Sequence, residues 1–138
     1  MVWEEREATL ENQYYVFGKQ LQRINRVYNK VLVTVTDSPI ILSAIYKPDY
    51  VSNKFDEVIV EEFNRFNTLN YFVKRPEHQL YIRKGRREAR KEAIEIDERI
   101  LDFLDYYGIE YENTTSTRAD ITGIANAIEA EVVIHGPD

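Results

Sequence analysis

The chain has 138 residues, room for one domain of ordinary size and too little for two comfortable ones. Its 43% hydrophobic and 30% charged residues mark a globular chain, and a net charge of −6 argues against a protein that coats nucleic acid. With no cysteine, a disulfide framework and a thiolate metal site are both excluded.

The opening Met1-Val2-Trp3-Glu4-Glu5-Arg6 is charged at once and has no apolar signal-peptide core. No apolar run of about 18 residues follows anywhere, so a soluble, cytoplasmic protein that spans no membrane is expected. From Glu4 to about Tyr28, Leu10, Tyr14, Phe17, Leu21, Ile24 and Tyr28 recur in steps of four and three, the stripe of an amphipathic helix weakened only at Gly18. Val31-Leu32-Val33-Thr34-Val35-Thr36 is β-branched and nearly free of polar positions, the pattern of a strand buried on both sides. Pro39 suits the first turn of a short helix over 40–46, with Asp37 or Ser38 as its cap. Phe55, Val58, Ile59, Phe63 and Phe66 mark a third helix over 55–66.

A second strand is predicted over 69–73, closed by Lys74-Arg75-Pro76, and residues 77–85 read as irregular. From Arg86 the pattern is helical as far as Tyr107, and Gly108 is a natural stop. Ile109-Glu110-Tyr111-Glu112 predicts a third strand and 113–117 a polar loop; Ile121, Ile124, Ile128 and Val132 predict a last helix. No repeat and no dividing linker interrupts this, so a single domain over 1–138 is expected. Strands alternating with helices point to an α/β fold, a parallel sheet flanked by helices.

Certain short motifs stand in series: Val2-Trp3-Glu4-Glu5-Arg6, Tyr15-Val16-Phe17-Gly18-Lys19-Gln20-Leu21-Gln22-Arg23-Ile24, Thr36-Asp37-Ser38-Pro39, Glu61-Glu62-Phe63-Asn64-Arg65-Phe66-Asn67, Asn70-Tyr71-Phe72-Val73-Lys74-Arg75 and Lys84-Gly85-Arg86. In this order, from about residue 2 to 112, they resemble phage-encoded P-loop ATPases of the AAA-like type, relatives of thymidylate kinase and nicotinamide riboside kinase. The resemblance implies ATP and Mg²⁺ as cofactors and transfer of a phosphoryl group to a nucleotide- or nucleoside-like acceptor.

One departure qualifies it. Members of that family open with a strand, a loop of the form G-x-x-x-x-G-K-[ST], a helix and a second strand, and this chain starts where that region ends. Its glycines are Gly18, Gly85, Gly108, Gly123 and Gly136, and none precedes Lys-Ser or Lys-Thr. The loop supplies backbone N–H groups and a Lys to the phosphates, and its Ser or Thr holds Mg²⁺. The expectation is therefore an incomplete, kinase-like P-loop NTPase, truncated or split, that transfers a phosphoryl group only when the loop is supplied. The resemblance also implies that the strand entering the loop lies between the strands matching 31–36 and 69–73. Without it, the chain is expected to pair with a separately encoded N-terminal fragment, to rearrange, or to associate with itself. A different class of reading is a non-enzymatic protein that reuses this scaffold to hold a phosphorylated ligand or a protein partner.

By the same resemblance, Asp37 faces Mg²⁺ or the acceptor, while Arg86, with Arg83, Lys84 and Arg87, belongs to a lid that contacts the phosphates. Gln13, Phe17, Gln20 and Ser38 border the acceptor pocket. Each has a plainer alternative. Asp37 and Ser38 can be helix caps, and the basic stretch from Arg83 to Lys91 can be a solvated helix start, although cations there are unfavourable without a bound anion. Phe17 can be core, with Gln13 and Gln20 ordinary helix surface. His78 and His135 stand alone, without a second ligand at metal spacing.

Overall fold

Helix, helix, helix, strand, helix, strand, helix is the order of elements over residues 12–75 and 84–135, the part of the chain that the computed structural model describes. The class is mixed α/β, mostly helical, with one two-stranded parallel sheet among the described residues. These elements fall into two compact units, Met1–Asn67 and Thr68–Asp138.

In the first unit, α1 (Gln13–Val27) begins where the Asn12 side chain accepts a hydrogen bond from the Tyr15 N–H at 3.3 Å. Of the helix expected from Glu4, the part from Gln13 onward is observed, and 4–11 lies outside the described residues. At the other end the Tyr28 N–H closes on the Ile24 carbonyl, and Asn29 turns the chain away at φ 64°, a conformation asparagine tolerates. α2 (Leu42–Tyr46) and α3 (Lys54–Phe63) follow. Phe17 of α1 meets Phe55 of α3 edge-on at 5.5 Å, with Tyr14 tilted over the same ring at 4.7 Å. Around them Ile40, Ile41, Ala44, Ile45, Val51, Ile59, Val60 and Phe63 are buried. Each large side chain so buried contributes about 1.5–3 kcal/mol.

The turn between α2 and α3 is held by a cation. Lys47 Nζ lies 2.9 Å from Asp56 Oδ1 and donates to Asn53 Oδ1 at 2.8 Å and to the Ser52 carbonyl at 3.3 Å. The Lys47 and Asp56 side chains are only 11% and 13% exposed. Lys47 follows the last residue of α2 and Asp56 sits in the first turn of α3, so each charge also opposes the local helix dipole.

Two expectations fail in this unit. Residues 31–36 are not a strand buried on both sides: they form no ladder with any described residue, and Val31, Leu32, Val33 and Val35 are 42–81% exposed. β-branched composition favours a strand, but the ladder that makes one requires a neighbour, and none of the described residues provides it. Neither Asp37 nor Ser38 caps α2. Pro39 and Ile40 enter through a turn (Leu42 N–H to Pro39 carbonyl, Ser43 N–H to Ile40 carbonyl), and Ile41 is the cap residue, with no side-chain bond.

The second unit is a β-α-β crossover and a final helix. β1 (Tyr71–Val73) pairs in parallel with β2 (Glu112–Thr114), in the register Tyr71↔Glu112, Phe72↔Asn113 and Val73↔Thr114. The ladder is extended by Glu112 N–H to the Asn70 carbonyl at 2.9 Å and Lys74 N–H to the Thr114 carbonyl at 2.8 Å. Between the strands runs α4 (Lys84–Tyr106). A parallel pair needs such a crossover, because two strands running the same way cannot be joined by a tight turn. Arg75, just past β1, grips Asp97 of α4 through Nε at 2.7 Å and Nη2 at 3.2 Å.

α4 stops as predicted. Gly108 takes φ 66°, its N–H donates to the Asp105 carbonyl, and the Ile109 N–H reaches back to the Leu104 carbonyl at 2.8 Å. This is a Schellman closure, with Ile109 and Leu104 both buried where that motif places its apolar contact. The third strand lies later than expected, at Glu112–Thr114 in place of 109–112, because Ile109 is committed to the helix stop. The expected irregular segment 77–85 lies mostly outside the described residues, although Lys84 and Gly85 are already helical. α5 (Arg118–His135) completes the unit.

Candidate functional site

The first unit carries Gln13, Phe17 and Gln20 on α1. Phe17 is core: it is 8% exposed and packs on Phe55. Gln13 is equally buried one turn earlier, so neither ring nor amide is helix surface. Gln20 is half-buried, and its Oε1 is sequestered without a hydrogen-bond partner among the described residues. A buried acceptor left without a partner costs about 1–3 kcal/mol.

Asp37 and Ser38 lie in the exposed loop after 31–36. Ser38 Oγ donates to Asp37 Oδ1 at 3.2 Å, and the Ser38 N–H donates to Thr36 Oγ1 at 3.0 Å. The carboxylate therefore stands in solvent, fixed to its neighbour. Among the described residues no group of three or more His, Cys, Asp or Glu side chains could hold a metal ion. Asp37 offers a cation one carboxylate, and Mg²⁺ takes one or two from a protein while water and phosphate oxygens fill the rest of its shell.

The expected lid residues belong to the second unit. Arg83 lies outside the described residues; Lys84 opens α4, and Arg86 and Arg87 follow within its first turn. Farther along α4, Arg90 and Lys91 line an open concavity of about 410 Å³ with Ile94, Glu95 and Glu98. Two cations and two carboxylates of the same helix thus stand together there, a mixed-charge face.

Two constellations escaped the sequence reading. Lys47 and Asp56 are nine positions apart across a turn, and nothing local ties them. The second is at the start of α5, where Thr117 Oγ1 accepts from the Asp120 N–H at 3.3 Å and Asp120 reaches back to the N–H of Thr115 at 3.2 Å and to its hydroxyl. Thr117-Arg118-Ala119-Asp120 has the [ST]-x-x-[DE] form of a capping box, a signal that was present in the sequence. The Thr115 hydroxyl above all holds the Asp120 carboxyl below its ordinary 3.8; desolvation opposes it, and the Thr115 N–H and the Thr117 hydroxyl add to the lowering.

No family model, curated protein or solved structure matches the chain. Among the described residues no helix is long and apolar enough to cross a membrane.

Proposed function

We propose that the chain is one part of a kinase-like P-loop NTPase, and that it acts in phosphoryl transfer from ATP once a strand and a G-x-x-x-x-G-K-[ST] loop are supplied by polypeptide outside these 138 residues. One observation carries this reading: residues 31–36 are uncharged, mostly apolar and β-branched, and exposed, without a ladder partner among the described residues. A strand laid along them would satisfy their N–H and C=O groups and cover Val31, Leu32, Val33 and Val35. Run in parallel, it would bring its own carboxyl end, where the loop begins, beside Asp37 and Ser38, the end of a strand being where α/β folds place their ligands. The segments resembling the kinase family support the same reading.

The test is complementation. The purified chain is titrated with a fragment containing strand, phosphate loop and helix, and ATP–Mg²⁺ binding is followed by calorimetry. Binding is expected only in the mixture, and Val33→Asp should abolish complex formation by burying a charge in the new ladder. If neither the chain nor the mixture binds ATP–Mg²⁺, and the fragment does not bind the chain, the reading is wrong.

A second reading, a binding protein without catalysis, is favoured by the packed core of the first unit, where Ile40 and Ile59 are 1% and 0% exposed although 31–36 has no ladder partner among the described residues. It differs in one observable: a sharp thermal transition that ATP does not move, with or without the fragment.

A further inference from the structure

We draw no further inference here: the strongest candidate, the half-exposed apolar stripe of α5 carrying Ile121, Ile124 and Ile128, is an unpartnered helix face, and nothing among the described residues shows what covers it.

Discussion

Replacing Lys47 by Met removes the cation that closes the turn between α2 and α3. The size of the effect follows from burial. In solvent such a pair contributes about 0–1 kcal/mol. Here both side chains are nearly nine-tenths buried at 2.9 Å, so Lys47→Met leaves an uncompensated carboxylate, at a cost of about 3–5 kcal/mol. Asp56→Leu should cost less, about 2–3 kcal/mol, because Lys47 keeps Asn53 Oδ1 and the Ser52 carbonyl as acceptors. The double variant strands no charge and should be less damaged than Lys47→Met alone. Native-state hydrogen exchange of the α2 and α3 amides is the assay, since it reads the first unit apart from the second. Additive losses, each below about 1 kcal/mol, would refute the argument by showing that the pair behaves as a solvated one.

Other substitutions have equally definite expected outcomes. Gly108→Ala should destabilise by about 1–2 kcal/mol in urea unfolding, purely from the positive φ, because an added Cβ meets nothing within 4 Å; Gly18→Ala, with equal room inside α1, should stabilise by about 0.5–1 kcal/mol. Phe17→Ala should cost about 3–5 kcal/mol by opening a cavity against Phe55, whereas Gln20→Leu should be neutral or stabilising, since it deletes a buried acceptor that has no partner among the described residues; a loss on Gln20→Leu as large as on Phe17→Ala would contradict this. Asp120 has a lowered pKa in the folded chain, so its contribution is present above its unfolded pKa and is lost as pH falls through the folded one. Asp120→Asn should therefore flatten the acid limb of the stability curve below about pH 4, and an unchanged limb in a pH-dependent melt would count against the Thr115–Asp120 clasp.

What could be read in the sequence was local. The stripe through Phe17, the stop at Gly108 and the apolar steps of the last helix depend on residues within a few positions of one another, and the structure places helices and a helix stop there. Residues 31–36 misled because strand propensity is a preference for a pleated, half-covered surface, and covering is decided elsewhere in the chain or outside it. Glu112–Thr114 shifted along the chain because Ile109 had two competing uses, and the helix closure took it. Of the candidate site, the helix carrying Gln13, Phe17 and Gln20 was legible; the burial of Gln13 was not, because side chains from other elements decide it. The lid residues and Asp37 were assigned by resemblance, which places them in sequence but supplies no geometry.

The bare stretch at 31–36 also bears on how the protein behaves in a tube. Six residues without charge, proline or glycine, left uncovered, have the make-up of a segment that stacks between molecules, and only Lys30 and Asp37 at its ends act as gatekeepers. Solutions of the isolated chain should grow turbid and bind amyloid dye as concentration rises, and Val33→Asp should clear them. The strand-bearing fragment should clear them as well, by occupying the same backbone groups, so its solubilising effect can be measured before any nucleotide is added.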